Sequence, residues 1–147
     1  MFQFFALLGF FLFFFSIISL VLYIFMAYAL YKMAVRQGLE NPWVAWIPIA
    51  QLYILGKLIK GLKIFDYEVP NIEIVLPVAS IIFVVFRHVH ILGTLVSLVN
   101  FILVLFALNK LYKLYKPENA TFYTILSILG FTVPFIVFSL KDKDPIA

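Results

Sequence analysis

The chain has 147 residues, 65% of them hydrophobic and 12% charged, with a net charge of +4 and a mean hydropathy of +1.12. A soluble domain is typically about 45–50% apolar and about 25% charged, so this composition excludes an ordinary water-soluble fold. The basic residues punctuate apolar runs and form no patch for nucleic acid, and the absence of cysteine excludes disulfides and thiolate metal sites. We therefore predict an all-α integral membrane protein, with residues 1–147 as a single polytopic membrane domain.

The first predicted element is a membrane helix over residues 2–31, which carry no charge. A membrane helix needs about 20 apolar residues, and this run exceeds that length. It lacks the basic region of a secretory signal and is longer than a signal's apolar region of about 7–15 residues, so we predict a retained anchor. We expect the helix to continue through Arg36 into the membrane interface.

Four further apolar segments follow along the chain. They are residues 43–59, interrupted by Pro48, Gln51, Gly56 and Lys57; residues 72–86; residues 91–108; and residues 122–140, which contain Pro134. We predict four transmembrane helices, within a range of three to five, with residues 43–59 as a re-entrant or interfacial segment. Whether the two segments that contain Pro48 and Pro134 cross the membrane fully stays open.

A short amphipathic helix is predicted after the second apolar segment. Lys57, Lys60 and Lys63 would share one helical sector, opposite an apolar sector that ends at Phe65. This pattern is typical of a helix that lies in the plane of the lipid headgroups.

An internal duplication is predicted from two stretches of the chain. Residues 28–41 align without gaps to residues 106–119, at an offset of 78 and with five identities in 14 positions. The repeat halves would be about residues 1–65 and 72–147, and we expect the first and fourth apolar segments to pack together. Repeats are common in transporters, although they also occur in proteins that transport nothing.

The distribution of lysine and arginine predicts the orientation. If all five segments cross and the N-terminus is outside, five Lys and Arg residues lie inside and six outside. If the second segment returns to its own side, eight lie inside and three outside, and if the fifth segment returns as well, ten lie inside and one outside. The positive-inside rule therefore favours an outside N-terminus and a re-entrant residues 43–59. The residues that we expect to contact the lipid interface are Lys32, Arg36, Lys57, Lys60, Lys63, Lys110, Lys113 and Lys116.

The second segment also carries a recognisable pattern. Trp43, Ile47-Pro48-Ile49 and Tyr53 are spaced as Trp-x-x-x-Ile-Pro-Ile-x-x-x-Tyr. The chain resembles small multi-pass membrane proteins of Gram-positive bacteria, mostly uncharacterised, that carry a Trp-x-x-x-Ile/Val-Pro-Ile-x-x-x-Tyr core. The resemblance implies a location in the bacterial plasma membrane, and it implies no activity and no catalytic residues.

Candidate binding residues cluster at the two interrupted segments. Gln51 follows Pro48, and Pro134 gives a comparable interruption in the second repeat, so the pair could frame a cleft for an ion, a lipid headgroup or a partner helix. Packed helix kinks are the alternative. The remaining candidates for recognition or conduction are Trp43, Trp46, Tyr53, Glu40, Asn41, Glu118 and Asn119.

Each Glu-Asn pair also has a structural interpretation. Asn41, before Pro42, has the signature of a helix N-cap, and Asn119 would play the same part in the second repeat. Glu40 and Glu118 suit helix N-termini through the macrodipole. A functional amide site is the alternative.

Polar residues in the third and fourth segments are expected to join helices. Ser80 on one segment and Asn100 on the other belong to polar faces of the kind that hydrogen-bond across membrane helices. Arg87, His88 and His90 predict a solvated turn, since two histidines fall short of the three or four ligands that zinc sites use. We predict no metal and no cofactor.

No catalytic set of residues is present in the sequence, so we predict that the chain is not an enzyme. The favoured function is a non-enzymatic protein that binds a membrane partner or a peptide, in a regulatory, accessory or immunity-type role. The alternative is a small oligomeric transporter or channel built around Gln51 and Pro134. The expected partners are the lipid bilayer and a membrane protein, a peptide or further copies of the chain, with no nucleic acid.

Overall fold

The computed structural model describes residues 1–146, of which helices make up about three quarters. Six α-helices and one antiparallel hairpin occur within these residues. The helices are α1 (Phe2–Arg36), α2 (Gln51–Ile59), α3 (Ile72–Phe86), α4 (His90–Tyr115), α5 (Ala120–Ser127) and α6 (Val133–Leu140). The strands are β1 (Leu62–Ile64) and β2 (Tyr67–Val69), and 3-10 helices span Pro42–Trp46 and Pro117–Asn119. The predicted helical class is confirmed.

Helix α1 confirms the predicted continuation through Arg36. Nothing in its sequence interrupts the backbone hydrogen bonds until Gly38, whose φ of 68° lies in the left-handed region. The N–H of Leu39 then donates to the carbonyl of Ala34 at 3.0 Å, which satisfies one of the free carbonyls at the helix end. Arg36 in the last turn suits the negative end of the helix dipole.

The two halves of α1 have different surroundings. Every residue from 1 to 20 is exposed, and the first buried residue is Ala27. From there to the end of the helix, small and aliphatic residues such as Leu30 and Met33 are fully buried in the core. The core therefore lies around the second half of α1, α2, the second half of α4, and α6.

The first broken segment, residues 42–59, doubles back on itself. The hydroxyl of Tyr23 donates to the carbonyl of Trp46, which places the 3-10 helix well back along α1 from its end at Arg36. Helix α2 then returns, so that Tyr53 borders the same cavity as residues 38–40. Both ends of the segment thus lie near the end of α1.

Helices α2 and α3 cross very closely at Gly56. A Cβ added to Gly56 would lie 2.3 Å from the Cα of Glu73, so only glycine permits this approach. Nearby, the Nζ of Lys57 lies 3.7 Å from the Oε1 of Glu73.

The predicted amphipathic helix from Lys57 to Phe65 is wrong. Helix α2 ends at Ile59, because Lys60 (φ 59°) and Gly61 (φ 131°) leave the helical region. Residues 62–64 form β1, in which Leu62 is buried and pairs with Val69 of β2. A continued helix would instead have required Gly61 in its interior, where glycine is unfavourable.

Helices α3 and α4 form a tight antiparallel pair. A Cβ on Gly93 would lie 2.6 Å from the carbonyl oxygen of Phe86, which explains why glycine follows this short turn. The hydroxyl of Ser80 donates to the Oδ1 of Asn100 at 3.2 Å. The predicted hydrogen bonding between these polar faces is therefore confirmed.

The second broken segment, residues 120–140, places α5 against α4 and α6 against α1. The ring centroids of Phe25 and Phe138 are 4.9 Å apart and the two rings are stacked. The expectation that the first and fourth apolar segments pack together is wrong, because α6 and the first 3-10 helix occupy the packed faces of α1. The ring of Tyr28 lies near Phe138, and the ring of Phe106 lies near Phe65.

Two of the helices in residues 1–146, α1 and α4, are long and apolar enough to cross a membrane. Their most apolar 18-residue stretches are 0% and 22% buried, so neither is enclosed as a soluble protein encloses a core helix. Helix α3 is apolar but has 15 residues. Length alone thus supports two of the four predicted crossings within the described chain.

Candidate functional site

The first break, residues 47–50, has a strained backbone. Ile49 has a φ of 66°, a left-handed conformation that a β-branched residue rarely adopts. Pro48 contributes no N–H to the surrounding hydrogen bonds, and its carbonyl accepts from Ala50 at 2.7 Å. This conformation reverses the chain so that α2 can return toward the end of α1.

Gln51, the first residue of α2, carries a buried polar atom at this break. Its Oε1 is buried and has no hydrogen-bond partner among the described residues. Leaving such an acceptor unpaired costs about 1–3 kcal/mol. The sequence singled out Gln51 because it follows Pro48 in an interrupted apolar segment, and its buried, unpaired oxygen gives that choice a physical basis.

The second break, residues 128–132, is better satisfied. Gly130 takes the left-handed conformation with a φ of 78°, and the hydroxyl of Thr132 donates to the carbonyl of Leu126. Pro134 lies in the first turn of α6, where a missing N–H costs little. The prediction that Pro134 breaks the helix is therefore corrected, since the interruption precedes it and centres on Gly130.

A cavity of about 200 Å³ lies between the two broken segments. Leu52 of α2 and Gly130 of the second break both line it, together with apolar side chains of α1, α4 and α6. Ser127 is the one polar side chain in this lining, and its hydroxyl already pairs with Tyr112 at 2.7 Å and with the carbonyl of Tyr123 at 2.8 Å. The cleft suits an apolar group and offers no free ligand for an ion.

A second, polar cavity of about 230 Å³ lies beside the end of α1. It is lined by residues 38–40, with the carboxylate-bearing Glu40, and by Tyr53 and Lys57 of α2. The Nζ of Lys57 lies 5.5 Å from the centre of the Tyr53 ring, within range of a cation–π contact. The structure thus brings Glu40 and Tyr53 together, while Trp43 and Trp46 are exposed on the 3-10 helix.

The predicted asparagine caps are wrong. Among the described residues, neither Asn41 nor Asn119 makes a side-chain hydrogen bond to a helix N-terminus. A capping residue needs an extended backbone to aim its side chain at the free N–H groups. Asn41 is left-handed (φ 54°) and Asn119 has φ and ψ of −112° and 3°, so both are misaligned. Pro42 does occupy the first helical position, as predicted.

A cluster of ion pairs joins α1 to residues 141–146, which we call the strap. The Nζ of Lys32 lies 2.7 Å from the Oδ1 of Asp142, and the Nη2 of Arg36 lies 3.0 Å from the Oδ1 of Asp144. Hydrogen bonds from Lys141 and from Lys32 lower the pKa of Asp142 to about 2. The sequence did not predict this cluster, although lysine and aspartate alternate at positions 141–144.

The strap also crosses the end of α4. The N–H of Ile146 donates to the carbonyl of Leu114 at 2.7 Å. Next to it, Tyr115 is buried, and its hydroxyl has no hydrogen-bond partner within residues 1–146. The ends of α1, α4 and α6 therefore meet at one end of the molecule.

We call this the charged end, because the last turns of α1 and α4 and the strap bring charged side chains there, namely Lys32, Arg36, Lys113, Lys116, Asp142 and Asp144. Glu118 is exposed within the second 3-10 helix, and the Nζ of Lys116, just before that helix, lies 5.9 Å from the centre of the Tyr123 ring. Lys57 borders the polar cavity beside the end of α1, and Lys110 lies in the second half of α4. Lys60 follows α2, and Lys63 belongs to β1.

Arg87 lies at the opposite end, in the turn between α3 and α4, where its Nε donates to the Nε2 of His88 at 3.2 Å. No group of three or more His, Asp or Glu side chains that could hold a metal ion occurs in the part of the chain that the structure describes.

No protein-family model, curated protein or solved structure matches this chain significantly.

Proposed function

We propose that this chain is a multi-pass membrane protein that binds a membrane partner, either a protein or a hydrophobic peptide, and catalyses no reaction. The observation that carries this proposal is the contrast within α1. Its second half belongs to the core, whereas residues 1–20 are all exposed and include eight phenylalanines.

The exposed half of α1 has the properties of a recognition surface inside a membrane. Lipid alone satisfies an apolar helix surface in a membrane, so the feature that favours a protein partner is the density of aromatic rings, with eight phenylalanines in residues 1–20. The rings of Phe10 and Phe14 stack 6.1 Å apart, which builds a broad, rigid aromatic face. Gly9 has no heavy atom within 4 Å of its Cβ position, which leaves room for a second helix.

The proposed topology has three crossings, by α1, α3 and α4, with both broken segments re-entrant. Helix α3 has 15 residues and measures about 22 Å at about 1.5 Å per residue. The hydrocarbon core is about 30 Å thick, so the turn at Arg87 must complete the crossing. In this topology ten of the eleven Lys and Arg residues fall on the side of the charged end and Arg87 falls on the other. The positive-inside rule then makes the charged end cytoplasmic and the N-terminus external. The bacterial plasma membrane is proposed from the resemblance around Trp43.

The packing is also what we would expect of a duplicated chain. The first 3-10 helix packs on α1, and α5 packs on α4 at the corresponding place in the second repeat. Helix α6 also packs on α1, and α2 packs on both α1 and α4. The proposed repeats would thus interlock, with each returning helix in contact with the long helix of the other repeat.

Photo-crosslinking in native membranes tests partner binding. A photoreactive residue at Phe5 or Phe13 in the exposed half of α1 should give a discrete crosslinked protein band. The same probe at Leu95 or Leu98, exposed on α4, is the matched control and should label lipid without such a band. Equal labelling from both helices would contradict the proposal.

The cavity shared by the two breaks favours a second candidate, an oligomeric transporter. Because its lining is apolar, the solute would have to be hydrophobic. Leu105→Phe would fill the cavity and should reduce uptake of such a solute into reconstituted vesicles. In a protein that only binds a partner, the same change should leave crosslinking from Phe5 unaltered.

A further inference from the structure

The end of α1 presents two cations on one helical face. Lys32 and Arg36 are four residues apart, the spacing at which helical side chains are neighbours. Asp142 and Asp144 of the strap place one carboxylate on each cation, at 2.7 Å and 3.0 Å. The strap therefore fills a basic pair with two anionic groups from the same chain.

A buried donor beside this pair is left unused. Tyr115 is 4% exposed, and its hydroxyl has no hydrogen-bond partner among the described residues. The strap passes over this part of α4, since the N–H of Ile146 donates to the carbonyl of Leu114 at 2.7 Å and Asp144, two residues earlier, pairs with Arg36. The two carboxylates thus satisfy the cations and leave the Tyr115 hydroxyl unpaired.

We propose that Lys32, Arg36 and Tyr115 form a binding site for a phosphate ester, and that the strap is an internal competitor for it. A phosphate ester carries more acceptor oxygens than a carboxylate, so it can pair with two cations and also accept from a phenol. The proposed source is the phosphate of an anionic lipid at the membrane surface. This source rests on the proposed membrane location, whereas the site itself does not.

The strap is held in a way that permits exchange. The side chains of Lys32 and Arg36 are 39% and 36% exposed, and those of Asp142 and Asp144 are 55% and 71% exposed. Ion pairs this exposed contribute little and are screened by salt. An anionic lipid surface raises the local concentration of phosphate beside basic residues, so it can compete with the two aspartates.

The test follows the mobility of the strap. The natural chain has no cysteine, so Lys143→Cys, at an exposed position, accepts a single spin label. The labelled full-length protein in neutral detergent is titrated with phosphatidylglycerol, with diacylglycerol, which lacks the phosphate, and with inorganic phosphate. We expect phosphatidylglycerol to increase the mobile fraction of the label several-fold and diacylglycerol to leave it unchanged.

Three variants assign the effect to the site. Lys32→Gln with Arg36→Gln should leave the strap mobile without lipid, whereas Lys110→Gln with Lys113→Gln makes the same charge change and should leave it held. Tyr115→Phe should keep the strap held without lipid and raise several-fold the amount of phosphatidylglycerol needed to release it.

The remaining outcomes separate the sources. If inorganic phosphate releases the strap as effectively as phosphatidylglycerol does, the phosphate site is supported, but the proposal that its ligand is a lipid is overturned. A strap that stays immobile with both, or a Tyr115→Phe variant that titrates like the parent, would overturn the site. None of these results depends on crosslinking from α1, so the partner-binding proposal stands or fails separately.

Discussion

The two broken segments reverse the chain by different means. In residues 128–132 the left-handed position is taken by Gly130, at a φ of 78°, and Thr132 donates its hydroxyl to a backbone carbonyl. In residues 47–50 the left-handed position is taken by Ile49, at a φ of 66°, and the glutamine that follows keeps a buried carbonyl oxygen unpaired among the described residues.

This difference indicates where the molecule has given up stability. The second break uses the residues that such a backbone favours, so it is locally consistent. The first break holds a β-branched residue in an unfavourable conformation next to an unsatisfied amide, at a cost of order 1–3 kcal/mol for each such strained residue. Observed strain of this kind is a reason to look for a function, and it directs attention to Gln51 rather than to Pro134.

The largest expected effect is on stability, at the close contact between α2 and α3 that holds the first broken segment in place. Gly56→Ala would put a Cβ 2.3 Å from the Cα of Glu73, where backbone on both sides prevents relief. We expect a loss of about 3 kcal/mol in the free energy of unfolding, at the upper end for overpacking, measured by denaturant unfolding in detergent. Gly9→Ala, which meets nothing within 4 Å, is the control and should be neutral or slightly stabilising. Equal stability of the two variants would show that α2 and α3 are not in contact here.

The next largest effect is expected at the two left-handed positions, Gly130 and Ile49, and it compares the two breaks directly. Gly130→Ala adds a side chain with open space around it, so its expected cost of about 1–2 kcal/mol is purely conformational. Ile49→Gly relieves the same strain but loses a half-buried side chain and adds backbone entropy, so we expect a change within about 1 kcal/mol of zero. Thermal unfolding of both variants measures the difference, and a large loss for Ile49→Gly would mean that packing outweighs strain at the first break.

A smaller effect is expected at the unpaired amide. Gln51→Leu removes a buried acceptor without a partner and should raise the free energy of unfolding by about 1 kcal/mol. If the first break is a recognition or conduction site, the variant should also lose partner crosslinking or transport while it still inserts into membranes. Gln37→Leu, at a partly exposed position just after α1, is the control and should change neither quantity. If the Gln51→Leu variant keeps full partner crosslinking and full transport, the first break is a packed kink.

The smallest expected effect is a dependence of the mobility of the strap on pH. Contacts with Lys141 and Lys32 lower the pKa of Asp142 from 3.8 to about 2, so its contribution is complete above about pH 4 and is lost as the pH falls through about 2. Arg36 and Asp144 form the adjoining pair. A spin label at position 143 should stay immobile at pH 4 and become mobile near pH 2. Release near pH 4 would mean that Asp142 is not held by lysine.

The sequence predicts those parts of the fold that depend on local pattern. Thirty uncharged and mostly apolar residues leave no alternative to the first helix, and its expected continuation through Arg36 is correct. The β1–β2 hairpin was missed because strands of three residues have no periodicity to read, and the conformation of Gly61 decides between strand and helix.

Contacts between distant residues could not be predicted in the same way. Arg36 and Asp144 are 108 positions apart, and nothing in either segment identifies the other as its partner. The choice of α6 rather than α4 as the neighbour of α1 also depends on the assembled core. Gln51 could be selected because a lone amide next to proline in an apolar run is unusual, but its lack of a partner is visible only in three dimensions.

The short turn at residues 87–89 has a consequence for biosynthesis. In the proposed topology, Arg87, His88 and His90 are the ionisable side chains that must be translocated after the first helix is in place. Helix α3 is too short to be a stable insertion intermediate alone, and Gly93 locks the start of α4 against its last turn. Helices α3 and α4 would therefore leave the translocation machinery together, as one helical hairpin.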